Sequence, residues 1–300
     1  MVVVRPRVRE TDRMRVAGAH VVLTGATGDI GRHLAERLVD AGATVTLVAR
    51  GRLGLESLAA NIGGVAVPAD LTDRAVLRGL VTRVEAELGP IDVLVNNAGT
   101  EAVGHLTDLT SDDLEHLVAL NLLAPAELCR QVLPGMTRRG RGHLVNISSL
   151  AGVATFPGLA TYGATKAGLT HLTSGLRADL RGGPIGTLAV EIGPVSSEMM
   201  ARIASHPPAA AAFERVLRTR ALTMLEPDAV ARAIVAAVES GRPTLRMPRR
   251  AAPLAALTHA PRSLVRLALT GIRSPHDGPG TAGGAPLGRS ATPAPLRAVR

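Results

Sequence analysis

The sequence predicts an α/β fold: a doubly wound parallel sheet in three α/β/α layers, built as a single domain. Three observations lead to it. Short β-branched apolar runs alternate with longer stretches of helical spacing from about residue 20 to residue 247. Apolar residues make up 46% of the 300 but aromatics only 1%, so the core is built from Ala, Val, Leu and Ile, which suits strands buried on both faces. A glycine-rich turn follows the first apolar run and opens the first helical stretch.

Taken in order, residues 21–24 are the first strand, and 30–41 have helical spacing that ends at Gly42. Thr44–Ala49 is the second strand, 65–67 the third and 91–95 the fourth. Helical spacing fills the intervals, most clearly in Arg74–Leu88 and in 112–133. Residues 143–147 form a fifth strand, 161–180 a helix, 187–192 a sixth strand and 228–239 a helix, with Thr244–Met247 as a seventh strand. Strands separated by single helices imply right-handed crossovers and hence parallel pairing. The expected organisation is a basic arm over 1–18, the α/β domain over 19–248, an apolar and basic extension over 249–273, and a flexible tail over 274–300. The tail is Gly, Pro, Ala and Ser with scattered Arg, too poor in apolar side chains to order itself. Within the extension, 253–272 has the spacing of an amphipathic helix that fits either a membrane surface, another subunit or ordinary packing.

The net charge of +9 sits at the two ends, and the body over 16–241 is slightly acidic. No zinc-finger, RNA-binding or helix-turn-helix signature accompanies the basic ends, so no nucleic-acid partner is expected. The N-terminus lacks the order of a signal peptide, and no stretch approaches the ~20 apolar residues of a membrane span. A cytoplasmic protein is the expectation. The single cysteine, Cys129, rules out a disulfide within the chain and lies in an apolar helical stretch, where a buried thiol is inert.

The turn reads Thr24-Gly25-Ala26-Thr27-Gly28-Asp29-Ile30-Gly31. Gly25 permits a tight turn, a middle glycine lets backbone approach a pyrophosphate, and Gly31 lets helix and strand pack closely. The helix start supplies amide donors to an anion. The third strand runs into Asp70-Leu71, where Asp70 is placed to hold an adenine edge. The second ends in Ala49-Arg50 with no carboxylate to grip a ribose 2′-hydroxyl. Arg50, with Arg52 nearby, offers a cation to a 2′-phosphate instead, which favours NADP(H) over NAD(H); the other reading is a solvent-facing loop arginine.

Acid–base chemistry is suggested by the only tyrosine and the only lysine, Tyr162 and Lys166. At i and i+4 they share a helix face. A free phenol titrates near ~10, and a neighbouring ammonium favours its ionised form. Upstream, the fifth strand ends in Ser148-Ser149, where a hydroxyl opens toward a ligand crevice and can donate to a reacting oxygen. No nucleophile elbow surrounds the pair.

Together with Asn96-Asn97-Ala98-Gly99, Asn121 and Gly193-Pro194-Val195-x-Ser197, these segments resemble the short-chain dehydrogenase/reductase family over about residues 19–248. The resemblance implies a Rossmann-like fold, a nicotinamide cofactor, a carbonyl or secondary alcohol substrate, and a homo-oligomer. It implies Tyr162 as acid/base, Ser149 rather than Ser148 orienting the substrate oxygen, Lys166 on the nicotinamide ribose, and Asn121 holding a proton-relay water. The cofactor would lie along Gly25, Thr27, Gly28, Asp29, Ile30, Gly31, Arg50, Asp70, Leu71, Asn97, Ala98 and Gly99, with Val195 and Ser197 near its carboxamide.

Three positions depart from the family pattern. Asp29 stands where the turn usually has its second glycine, and a carboxylate facing inward there would weaken cofactor binding. Ile192 replaces a proline and Ser197 a threonine. The expected function is an NADPH-favouring carbonyl reductase or alcohol dehydrogenase whose substrate is lipophilic, since the segment 199–223 over the site is rich in Ala, Met and Leu. The alternatives are a non-catalytic cofactor-binding scaffold and a sugar-nucleotide epimerase, the latter needing a larger substrate domain than 248–300 offers.

Overall fold

The structure, a computed structural model, describes residues 13–218 and 222–248. Most of the basic arm, the extension over 249–273 and the tail lie outside the described residues. The strands are β1 (His20–Thr24), β2 (Thr44–Ala49), β3 (Val65–Pro68), β4 (Val93–Asn96), β5 (Gly142–Ser149), β6 (Ile185–Ile192) and β7 (Thr244–Met247). They form one seven-stranded, wholly parallel sheet in the order β3-β2-β1-β4-β5-β6-β7. Pro68, which cannot donate to a ladder, falls on the edge strand β3, where only one neighbour makes demands on its backbone.

Helices α1 (Asp29–Asp40), α2 (Arg52–Ile62) and α3 (Arg74–Leu88) connect the first four strands. Asp73 caps α3 by accepting from the amides of Ala75 and Val76. The predicted helix over 112–133 is three pieces: α4 (Ser111–Val118), a π-helical turn (Ala119–Leu123) and α5 (Ala124–Arg139). Thr110 and Asp113 form a capping box at the start of α4. Helix α5 runs through Pro134, which costs one helical hydrogen bond, and stops at Gly140. Helix α6 (Ala160–Asp179) follows β5; α7 (Glu198–Ala204) and α8 (Pro207–Arg218) form a lid after β6; α9 (Pro227–Glu239) precedes β7.

Two apolar clusters sandwich the sheet. One joins Val21, Leu23, Val145 and Val190 to α1 and α9 through Leu34, Leu38, Val230 and Ile234. The other joins Val22, Leu94 and Leu144 to α3 and α5 through Leu80, Val84, Leu128 and Met136. Both faces of the central strands are therefore buried, as their unbroken apolar runs require. The chain order reverses between β1 and β4. Side chains at the C-terminal ends of these strands open into a crevice there.

Candidate active site

The glycine turn is held by sterics. A Cβ on Gly31 would lie 2.1 Å from the Gly25 carbonyl oxygen, and one on Gly25, whose φ is +65°, would lie 2.7 Å from Ala98 Cα. Thr24 Oγ1 accepts from the amides of Asn97 and Ala98 at 3.0 and 3.1 Å, and Asn97 Nδ2 donates to the carbonyls of Thr24 and Gly25. The Asn97-Ala98-Gly99 loop is thereby stitched to the turn. Gly25, Thr27, Gly28, Asp29, Ile30, Gly31, Arg50, Asp70, Leu71, Asn97, Ala98, Gly99 and Ser197 all line one crevice. Asp70 Oδ1 accepts from Thr72 N and Oγ1 at 2.9 and 2.7 Å. Burial raises its pKa, but these hydrogen bonds and nearby Arg50 outweigh burial and leave it below the ordinary carboxylate value. Arg52 starts α2 and pairs with Glu56 at 3.1 Å, so Arg50 is the cation that lines the crevice on this side.

Beside the crevice lies an apolar cavity lined by Ser149, Tyr162, Lys166 and Val195 together with Leu159, Met199, Met200 and Ile203. Its far wall is the only two phenylalanines of the chain, Phe156 and Phe213, stacked at 4.9 Å. Tyr162 and Lys166 are buried on one face of α6. Lys166 Nζ donates to the Ile147 carbonyl at 3.0 Å and stands 5.8 Å from the centre of the tyrosine ring. Burial pushes the Tyr162 phenol up to about 12, with Glu101 adding to the rise and the Ser149 hydroxyl opposing it. The lowering expected from Lys166 does not prevail over burial, which also pushes that ammonium down to about 8.

The two serines separate by their partners. Ser148 Oγ donates to the Lys166 carbonyl at 2.9 Å and accepts from Thr170 Oγ1 at 2.7 Å, so it ties β5 to α6. Ser149 Oγ accepts from Ala151 N at 3.1 Å and stands beside the phenol. Asn121 sits in the π-helical turn, where such bulges often serve a site. Its amide bonds the backbone of Thr100 in both directions, at 2.9 and 2.8 Å, and donates to Thr165 at 3.1 Å. It lines neither cavity nor crevice directly. Ser197 caps α7 by accepting from Met200 N at 3.2 Å. Asp29 does line the crevice, and its Oδ2 accepts from Glu198 N at 3.0 Å. Cys129 is buried, with its thiol pushed up to about 12 by burial.

Sequence reasoning missed Glu101 and Arg202. Glu101 is 4% exposed and accepts from Arg202 Nε at 2.5 Å. No local pattern announces this contact, since the two residues meet only when the lid lies over the crevice. Among the described residues no cluster of side chains suits a metal ion, and no helix is long and apolar enough to cross a membrane.

The family model described as short chain dehydrogenase matches residues 19–208. The chain belongs to the short-chain dehydrogenase family. A ketoacyl reductase, HetN, from a Nostoc species is 34% identical over 230 residues, covering 75% of this chain and 77% of that relative. A short-chain dehydrogenase structure from Streptomyces avermitilis is 33% identical with a TM-score of 0.70, over 85% of this chain and 95% of that one. Another, from Sphingobium yanoikuyae in complex with NADPH, is 29% identical with a TM-score of 0.69, over 89% and 98%. This short-chain dehydrogenase therefore carries a nicotinamide-binding fold of an oxidoreductase family.

Proposed function

We propose that this short-chain dehydrogenase is an NADPH-favouring oxidoreductase acting on apolar carbonyl compounds or the corresponding secondary alcohols, with Tyr162 as the proton-transferring group. The observation that carries the reading is the position of Tyr162 and Lys166. They are buried in the wall of the apolar cavity, which shares Asn97, Gly99 and Ser197 with the glycine-lined crevice. The crevice suits a dinucleotide: the turn and the first residues of α1 line it opposite Asn97, Ala98 and Gly99, with Arg50 and Asp70 on one side. Bound nicotinamide would supply or accept a hydride at its C4.

The chain's own residues do the rest. Ser149 donates a hydrogen bond to the carbonyl oxygen. Tyr162, a neutral phenol at physiological pH given its raised pKa, delivers its proton to that oxygen as negative charge builds. Lys166 would hold the ribose hydroxyls, and Asn121, through Thr100, keeps the loop with Gly99 over the lysine. Val195 and Ser197 would lie at the carboxamide end.

Arg50 at the end of β2, with no acid there, supports NADPH, as does the NADPH-bound relative. The cavity wall of Leu, Met, Ile and Phe supports a lipophilic substrate, and similarity to a ketoacyl reductase supports a ketone. The test is NADPH consumption with a panel of aliphatic and aryl ketones and aldehydes, beside direct binding of NADPH and NADH to wild type and Arg50→Ala. The expected result is turnover on apolar ketones and a selective loss of NADPH affinity in the variant. No turnover on any carbonyl, or equal loss of both cofactors, overturns the reading.

A further inference from the structure

We propose that Arg202, carried by lid helix α7 and anchored by Glu101, binds the pyrophosphate of the dinucleotide and offsets the carboxylate that Asp29 places beside it. This rests on the cofactor reading above. The turn that would receive a pyrophosphate carries Asp29 at its rim, with the carboxylate held in place by Glu198 N at 3.0 Å. An anion entering there meets a fixed negative charge, with Glu198 close by on the lid. The crevice-lining cations are Arg50 and Arg202. Arg50 stands at the end of β2 next to Asp70, on the adenosine side. Arg202 lies on the lid side with Ser197, Glu198 and Met199.

The geometry of the pair suits this division. Glu101 is buried at 4% exposure, while the Arg202 side chain is 59% exposed, so the anchor is fixed and the fork is open. Only Nε is committed to Glu101, at 2.5 Å. The contact of Nη1 with Glu198 is loose, at 3.9 Å. Two terminal nitrogens therefore remain for phosphate oxygens, in the planar arrangement that matches two oxygens at once. The second carboxylate oxygen of Glu101, Oε2, is buried without a hydrogen-bond partner, so Arg202 is the group that answers its charge. Pairing with Glu101 holds the guanidinium over the crevice before any ligand arrives.

The test is direct binding, by fluorescence of the reduced cofactor or by calorimetry, with NADPH and NADH and with thermal melting as a folding control. Arg202→Met weakens both cofactors alike, by about tenfold or more, because both carry the pyrophosphate and charged hydrogen bonds are lost. Arg202→Lys recovers only part of the loss, because an ammonium keeps the charge but not the fork that meets two oxygens, and Asp29→Asn tightens both cofactors. Arg202→Met binding within about twofold of wild type overturns the proposal. So does a loss confined to NADPH, which would place Arg202 on the 2′-phosphate. Arg202→Lys binding no better than Arg202→Met assigns the effect to lid packing and likewise overturns it, and so does weaker binding in Asp29→Asn. Wild type that binds neither cofactor removes the functional reading itself, an outcome distinct from all of these.

Discussion

Tyr162 and Lys166 show how one environment moves two groups in opposite directions. Burial disfavours charge, so the phenol rises to about 12 and the ammonium falls to about 8. Removing the phenol in Tyr162→Phe is expected to lower kcat by about 10²–10⁴ while leaving cofactor binding in place, measured by steady-state kinetics and titration. Lys166 carries a stability consequence with a definite sign. Between pH 8 and 10.5 the unfolded chain holds a proton on this lysine that the folded chain does not. Stability therefore rises with pH through that window, and below it the full cost of the buried ammonium stands. Lys166→Met is expected to be more stable than wild type at pH 7, by ~2 kcal/mol, with the gap closing between pH 8 and 10.5 in thermal melts. A gap that widens with rising pH would contradict this. Ser149 and Ser148 are separable in the same way. Ser149→Ala is expected to lose kcat with little change in melting temperature. Ser148→Ala loses two buried hydrogen bonds and costs ~1–3 kcal/mol of stability.

At the scale of elements, helix α6, which carries Tyr162 and Lys166, is positioned by the sheet. Asn146 on β5 accepts from Asn96 on β4 at 2.8 Å and donates to Thr173 on α6 at 2.8 Å. With the Ser148–Thr170 contact, this fixes the register of α6 against β5 and hence where Tyr162 and Lys166 point. Asn146→Ala removes two buried hydrogen bonds, leaving Asn96 Nδ2 only its contact with Cys129 Sγ at 3.5 Å, and is expected to lower stability by ~1–3 kcal/mol in denaturant unfolding. The strands were legible in the sequence because each is a short apolar run bounded by turn residues. Thr44–Ala49 and Thr244–Met247 match their predicted bounds, and β5 runs two residues past its expected end, through Ser149. The π-helical turn was not legible: helical spacing of apolar residues is nearly the same on either side of it, and Asn121 within it pairs with Thr100, 21 residues away. The sequence shows the lid helices α7 and α8 only as an apolar stretch. Helix α7 has 7 residues and depends on the Ser197 cap and on Asp29 across the crevice.

For the molecule as a whole, crevice and cavity share Ile30, Asn97, Gly99 and the lid residues Ser197 and Met199, with Tyr162 and Lys166 on the cavity side. Phe156, just before α6, meets Phe213 of α8, so the cavity exists only while lid and sheet lie together. Phe213→Ala is expected to reduce kcat/KM for bulky apolar substrates about tenfold or more and to leave cofactor affinity unchanged, since Phe213 lines the cavity and not the crevice. Equal loss for small and bulky substrates would argue against the cavity as the substrate site. The sequence by itself determined the parallel α/β sheet, the glycine turn and the tyrosine–lysine pair. Each is written in local spacing: alternating apolar runs, glycines where a Cβ has no room, and two side chains one helical turn apart. Tertiary structure decided which serine faces the phenol, where the Asp29 carboxylate points, and that Glu101 meets Arg202. Those outcomes depend on contacts between residues up to 169 positions apart, as between Asp29 and Glu198, and no local pattern encodes a contact that exists only after the sheet and lid have packed.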